Sequence, residues 1–178
     1  MPYESLEQAK LFHNANSLNW SGEALAEYKH QIKALIDEKK PKSILDYGCG
    51  KALFHKHFLP TIFRGIMIFC YDPAVKDFEN KPQKEIDLTL CIDVMEHVQE
   101  DKIDEVLKDL FTNTKFVFLT ITCYDAIQKL PNGKNAHYTV KPPSWWNDKL
   151  KPYDGKYQVV FQEKRERSKI VRNPDPKD

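Results

Sequence analysis

The feature that most constrains this fold is an apolar segment that ends in an acid and runs directly into a glycine-bearing turn. It reads Ile44-Leu45-Asp46-Tyr47-Gly48-Cys49-Gly50-Lys51-Ala52. Glycines at alternate positions let the backbone bend sharply and approach a ligand without a Cβ collision. In a parallel sheet, such a turn lies at the carboxyl edge of a strand, where ligands bind and strand order reverses. The segment therefore predicts a strand, a ligand-binding turn and a following helix.

Four short runs rich in apolar and β-branched residues predict buried parallel strands. They are Ser43 to Asp46, Ile66 to Tyr71, Ile86 to Ile92 and Phe116 to Thr122. Helical patterns separate most of them, and strands that alternate with helices form parallel sheets with right-handed crossovers. The predicted fold class is α/β, with a mostly parallel sheet flanked by helices.

Three stretches carry helical spacing. The clearest is Asp101 to Phe111, which has one apolar stripe and a possible N-terminal cap in Asp101. A second helix is predicted to begin at Ser21 as N-cap and to stop at Lys39-Lys40-Pro41. Leu6 to Trp20 is amphipathic but less regular, and predicts a short helix lying over the ligand site.

The C-terminal segment predicts an antiparallel hairpin. Tyr157 to Phe161 and Ser168 to Arg172 flank the charged run Gln162 to Arg167, which would form a solvated turn; a charged helix is the alternative. Asn173 to Asp178 mix proline with charge and predict a flexible tail. No linker divides the rest, so residues 1–172 are expected to form a single domain.

Composition excludes several classes of protein. The formal net charge of +1 gives no overall field that would attract nucleic acid. No apolar run is long enough to cross a bilayer, and the start of the chain lacks the pattern of a secretory signal, so a cytoplasmic protein is expected. The cysteines are widely spaced without a Cys-x-x-Cys pair, which predicts reduced structural thiols and no metal site.

A second acid strengthens the prediction of a ligand site. Asp72 ends the next predicted strand, about 22 residues after Gly50, where a carboxylate can accept both hydroxyls of a ribose. The alternative is a turn-capping role before Pro73.

Together these residues resemble the class I S-adenosylmethionine-dependent methyltransferase family. Asp46, Gly48 and Gly50 match its first motif, with Ala52 in place of a third glycine. The resemblance continues through Asp72 and Ile86 to Val98, and covers roughly Ser43 to Thr122, nearly half of the chain. It implies a Rossmann-like fold, S-adenosylmethionine as cofactor, and methyl transfer. The cofactor-binding residues it implies are Asp46, Gly48, Cys49, Gly50, Asp72, Pro73 and Asp93.

The sequence departs from the family pattern after Asp72. Only about 13 residues separate Asp72 from Ile86, too few for a full helix and the usual third strand, so that strand is expected to be abbreviated. The acid that commonly contacts the adenine amine has no assigned equivalent here.

An NAD-binding Rossmann domain is the main competitor for the cofactor. The third glycine of its fingerprint would fall at Leu53, and a leucine there obstructs the close packing that a dinucleotide site needs. The acid Asp46 also suits the ammonium of S-adenosylmethionine better than a pyrophosphate. The sequence therefore favours S-adenosylmethionine.

Methyl transfer from a sulfonium is an in-line displacement, so the enzyme mainly aligns the reactants and excludes water. His97 and His137 are the candidate general bases, with a structural role in the turn as the alternative for His97. Asp93 is expected to line the methionine pocket or, alternatively, to shape a turn.

The segment Asn132 to Trp146 predicts an acceptor site or lid, because it concentrates polar, basic and aromatic residues after a strand. The candidate substrate-binding residues are Asn135, His137, Lys141, Trp145 and Trp146. The alternative is that the two tryptophans anchor a short helix, capped by Ser144, against the core.

The expected acceptor is an oxygen or nitrogen atom of a small molecule or surface group, with DNA disfavoured. Lys141-Pro142-Pro143 is not the Asp-Pro-Pro-Tyr motif of DNA amino-methyltransferases, and no Pro-Cys nucleophile is present. Two other functions compete with the methyltransferase: a non-catalytic binding module that keeps the fold, and an enzyme that cleaves S-adenosylmethionine.

Overall fold

The computed structural model describes residues 4–15, 24–53 and 62–163. Its strands are β1 Ser43–Tyr47, β2 Met67–Tyr71, β3 Ile86–Ile92, β4 Thr114–Thr122 and β5 Tyr157–Gln162. All of them pair in parallel, in the order β2-β1-β3-β4-β5. The predicted α/β class and parallel sheet are confirmed. Strand order reverses at β1, since the chain pairs β2 on one side of it and β3 on the other.

The α-helices of the described residues are α1 Glu4–Ala15, α2 Lys29–Lys39, α3 Ile103–Phe111 and α4 Pro143–Leu150. Successive residues of a strand point to opposite faces of the sheet, and helices cover both faces. Ile44 packs with residues of α2, whereas its neighbour Leu45 packs with residues of α3 and α4. The result is a three-layer arrangement with one core above the sheet and one below it.

Helix α3 confirms the predicted apolar stripe, with Ile103, Val106, Leu107 and Leu110 all buried against the sheet. The predicted cap is wrong, because no side chain caps the helix at Lys102. A 3₁₀ turn over Glu100–Lys102 precedes the helix instead, and the Lys102 amide donates to the Gln99 carbonyl at 2.9 Å.

The second predicted helix has two parts. A 3₁₀ turn spans Ala24–Tyr28 and leads into α2, while Ser21 lies outside the described residues. The predicted end is confirmed, because Lys40 takes a left-handed conformation and its amide donates to the Ile36 carbonyl at 2.9 Å.

Helix α1 confirms the predicted N-terminal helix up to Ala15. The rest of the predicted helix lies outside the described residues. Lys51, in the turn after β1, donates from Nζ to the His13 carbonyl at 2.9 Å. Glu4, at the other end of α1, forms an ion pair with Lys134 at 2.8 Å. These contacts hold α1 between the glycine turn and the loop after β4.

The stretch from Asp72 to Glu85 contains a 3₁₀ turn at Lys76–Phe78 and no strand. Within residues 62–163 the sheet therefore ends at β2, which goes further than the expected abbreviation of the third strand. β4 begins two residues earlier than predicted, since Thr114 pairs with Ile86.

The predicted strand at Tyr157 is confirmed, and it pairs parallel to β4. Ser168 to Arg172 lie outside the described residues, so the antiparallel hairpin stays a prediction. All four cysteines are free thiols. No helix in the described ranges is both long and apolar enough to cross a membrane.

Truncation of the α3 stripe tests this packing. We expect Leu107→Ala, which empties a site that is almost wholly buried, to lower the free energy of unfolding by about 2–5 kcal/mol. The neighbouring exposed Lys108→Ala should change it by less than about 0.5 kcal/mol. Urea unfolding of both variants measures the difference; equal effects would contradict the assigned helix face.

Candidate functional site

A large cleft lies at the carboxyl edge of the sheet, where strand order reverses. Its volume is about 1590 Å³ as bounded by the described residues, beyond the roughly 300–1000 Å³ typical of small-molecule sites. The turn after β1 and the ends of β2, β3 and β4 line it, and α1 contributes Ser5, Leu6, Ala9 and His13. The cleft is therefore large enough for two ligands side by side.

The glycine turn has the conformation that the sequence predicts. Gly48 has a φ of 78°, and its amide donates to the Tyr71 carbonyl at 2.7 Å. A Cβ at Gly48 would lie 2.4 Å from Cγ2 of Val94, so packing as well as backbone conformation requires glycine here. Gly48 and Gly50 both line the cleft.

Asp72 links the end of β2 to this turn. Its side chain is buried, at 8% exposure, and Oδ2 accepts the Gly50 amide at 2.9 Å. Oδ1 accepts the Ala74 amide at 2.8 Å, which is the turn-capping role named as the alternative. Asp72 and Pro73 also line the cleft. The carboxylate therefore shapes the turn and faces the predicted cofactor site at the same time.

Asp46 and Cys49 lie behind the turn, outside the cleft lining. Asp46 is only 2% exposed, and its neighbours Tyr47 and Gly48 line the cleft in its place. The Cys49 thiol donates to the Gly50 carbonyl at 3.5 Å. A hydrogen bond with Cys70, together with burial, raises the pKa of the Cys49 thiol. Neither side chain lines the cleft, so their predicted contact with the cofactor stays a prediction.

Asp93 follows β3 and lines the cleft beside Val94. It has a φ of 53°, a left-handed conformation that few residues other than glycine adopt. Oδ1 accepts a hydrogen bond from the Thr120 hydroxyl at 2.7 Å, and burial raises the pKa of the carboxyl. Asp93 therefore shapes the turn after β3 and also lines the cleft, while its contact with a methionine group stays a prediction.

The two candidate bases meet at one wall of the cleft. The His97 and His137 rings lie edge to face, with their centroids 4.9 Å apart. Nδ1 of His97 bonds to the Ala136 carbonyl at 2.8 Å, and Nδ1 of His137 to the Tyr124 carbonyl at 2.6 Å. Burial, with a smaller contribution from His137, lowers the pKa of His97 to about 4, so its ring is neutral at pH 7.

Glu96 lines the cleft, although the sequence pattern predicted no role for it. It is 0% exposed, and Oε1 accepts the Thr122 amide at 3.0 Å. Burial, followed by the charge of Asp93, raises the pKa of Glu96 to about 8. A glutamate after a strand ordinarily faces solvent, so its burial was not predicted. Its position next to His97 was the sequence feature that could have indicated a role in the site.

Most of the predicted acceptor residues lie away from the cleft. Of that set, His137 lines it, whereas Asn135, Lys141, Trp145 and Trp146 do not. Asn135 instead fixes the loop, because its Oδ1 accepts the amides of Ala126 and His137 at 3.0 and 2.9 Å.

The tryptophans anchor α4, as the alternative proposed. Trp146 is 0% exposed and belongs to the core, and Trp145 packs edge to face on it at 4.9 Å. Lys141 lies over the Trp145 ring and pairs with Glu100 at 2.8 Å. The proposed Ser144 cap is wrong, because α4 begins at Pro143 and has no side-chain cap.

The comparisons with known proteins agree with this architecture. The model of a family described as a methyltransferase domain matches residues 20–160. The chain therefore belongs to this methyltransferase-domain family, which supports a class I S-adenosylmethionine-dependent methyltransferase. Neither the curated proteins nor the solved structures give a match to the chain.

The glycine turn can be tested by adding a single methyl group. Gly48→Ala should cost about 1–2 kcal/mol for the left-handed backbone and about 1–3 kcal/mol more for the collision with Val94. Gly155→Ala is the matched control, since Gly155 has a φ of 81° and nothing within 4 Å of an added Cβ. Urea unfolding should show the larger loss at Gly48; equal losses would contradict the close approach of Val94.

Proposed function

We propose that this protein transfers the methyl group of S-adenosylmethionine to an oxygen or nitrogen atom of a small-molecule or surface-group acceptor. The observation that carries the proposal is the meeting of Asp72 with the Gly48–Gly50 turn at the edge of a cleft with room for two ligands. Membership of the methyltransferase-domain family supports the choice of donor.

The residues at this end of the cleft fit the donor. Each oxygen of Asp72 accepts one backbone amide, and a carboxylate oxygen has a second lone pair that can accept a ribose hydroxyl. Gly48 and Gly50 line the cleft beside Asp72, and the carboxylate of Asp93 suits an ammonium. When bound, S-adenosylmethionine supplies an electrophilic methyl group.

The charge of the cleft supports a small acceptor over a nucleic acid. Within the described residues, its acidic lining side chains are Glu27, Asp72, Asp93, Glu96, Glu105, Asp109 and Glu163. No lysine or arginine from the described residues lines it. A polyanion needs basic partners for its phosphates, so a neutral or cationic acceptor fits this cleft better.

The chain's own contribution to the reaction is alignment and exclusion of water, with α1 covering the cleft. Because Nδ1 of both histidines faces a carbonyl oxygen, Nδ1 carries the proton and Nε2 is the nitrogen with the lone pair. His137 is thereby suited to take a proton from an acceptor in the cleft, whereas the lowered pKa of His97 makes its ring a weak base at pH 7.

Calorimetry tests the proposed role of Asp72. Asp72→Asn should weaken the binding of S-adenosylmethionine about 10- to 100-fold, because hydrogen bonds to a charged acceptor contribute about 1.5–3 kcal/mol. Asp148→Asn, on the exposed side of α4, should leave the affinity unchanged. Wild-type protein should discriminate similarly against a donor analogue that lacks a ribose hydroxyl, which tests the contact without a substitution. Unchanged affinity in both comparisons would refute the assignment.

Product analysis tests the reaction itself. With labelled S-adenosylmethionine and an extract of small metabolites, we expect S-adenosylhomocysteine to accumulate together with a labelled small acceptor. A non-catalytic binding module would return the donor unchanged, and a cleaving enzyme would form neither product. Either result would overturn the proposal.

A further inference from the structure

Three potential metal ligands converge at the wall of the cleft. Glu96, His97 and His137 each offer one ligand atom, and these atoms lie within 4.8 Å of one another. Glu96 and His97 follow β3, whereas His137 comes from the loop after β4. The fold thus brings together three side chains whose sequence spacing matches no metal-binding pattern.

The Glu96 carboxylate is the first observation that points to a cation. Oε1 accepts the Thr122 amide at 3.0 Å, but Oε2 is buried without a hydrogen-bond partner among the described residues. A buried carboxylate oxygen without a partner is costly unless a cation or proton compensates it. The backbone of Glu96 is also fixed, because its carbonyl accepts the Thr139 amide at 3.0 Å.

The orientation of the histidines is the second observation. Each Nδ1 bonds to a backbone carbonyl, that of Ala136 for His97 and that of Tyr124 for His137. A carbonyl can only accept, so both rings carry their proton on Nδ1 and have their lone pair on Nε2. Metal-ligating histidines are held in this way, by a hydrogen bond from the second ring nitrogen to a carbonyl or carboxylate.

The loop that carries His137 is itself held in place. Asn135 accepts the amides of Ala126 and His137 and donates from Nδ2 to the Ala126 carbonyl at 2.9 Å. The Ala136 amide donates to the Gln128 carbonyl at 3.1 Å. Ligands bound to a metal at about 2.1 Å lie roughly 3 Å apart, so the three side chains, whose ligand atoms lie within 4.8 Å of one another, would need to move closer together on binding.

We propose that Glu96, His97 and His137 bind one divalent first-row transition-metal ion at the cleft wall. Two imidazoles and one carboxylate suit zinc, manganese, iron or cobalt, and three protein ligands leave coordination positions open. All three residues line the cleft, so a ligand bound in the cleft would reach the open positions of the metal. The expected cleft ligand of the metal is an oxygen donor.

The metal site would also affect which methyl acceptor binds. This second inference rests on the proposed function, whereas metal binding itself does not. If the cleft holds a methyl acceptor, the metal selects one that carries a hydroxyl or another oxygen ligand. His97 and His137 are then metal ligands, and this role replaces that of general base.

The test uses the full chain without an affinity tag, freed of metal with a chelator and without S-adenosylmethionine. Titration with zinc, manganese or cobalt chloride should show one saturable site by calorimetry, and the metal should raise the melting temperature. Glu96→Gln and His137→Gln should each weaken binding at least 10-fold and abolish the thermal shift. Glutamine at position 96 keeps a carbonyl oxygen for the Thr122 amide, so the fold should persist.

The control is His30→Gln, a substitution on the exposed face of α2 that should bind metal like the wild type. Absence of saturable binding by wild-type protein at millimolar metal would overturn the proposal and leave Glu96 as a protonated core carboxyl. Equal binding by wild type and both ligand variants would also overturn it. Because the titration contains no S-adenosylmethionine, a negative result for metal binding leaves the methyltransferase proposal untouched.

Discussion

The junction between the ends of β1 and β2 is the constraint on which the rest of the site depends. The Tyr71 carbonyl, at the end of β2, accepts the amides of Gly48 and Cys49 at 2.7 and 3.2 Å. One residue later, Asp72 accepts the Gly50 amide. Both strands therefore end in one hydrogen-bonded unit, which satisfies these buried backbone groups. The unit also holds the Asp72 carboxylate beside the turn.

Strand order converts this junction into a cleft. Because β2 and β3 flank β1 on opposite sides, the loops that follow them diverge and leave space between them. The Gly48–Gly50 turn and Asp72 occupy one side, and the Glu96–His97–His137 cluster lies on the wall formed after β3 and β4. The two sides differ in chemistry: one offers the Asp72 carboxylate and the glycine backbone, and the other offers the Glu96 carboxyl and two imidazoles. This division supports separate places for donor and acceptor.

The sequence predicted the elements whose causes are local. Apolar runs predicted β1 to β4, and the stripe in α3 followed from 3.6-residue spacing. Element ends were less predictable, because backbone bonds in 3₁₀ turns replaced the side-chain cap expected from Asp101. The burial of Asp46 was not predicted either. The sequence at the end of a strand does not show whether a side chain faces the cleft or the interior.

The histidine and glutamate cluster could not be predicted from spacing. His137 comes from the loop after β4, which side-chain hydrogen bonds of Asn135 help to fold back toward Glu96 and His97. Trp145 and Trp146 illustrate the opposite error, a predicted site residue that lies in the core. Their aromatic side chains suit a ligand site and a core equally well, and the packing of α4 places Trp146 in the core.

A crystal structure of the protein with S-adenosylhomocysteine tests the central claim most directly. The account predicts that the ribose hydroxyls bond to the Asp72 carboxylate and that the amino-acid end lies along the Gly48–Gly50 turn, near Asp93. Binding elsewhere on the molecule, or in the cleft without contact to Asp72, would contradict it.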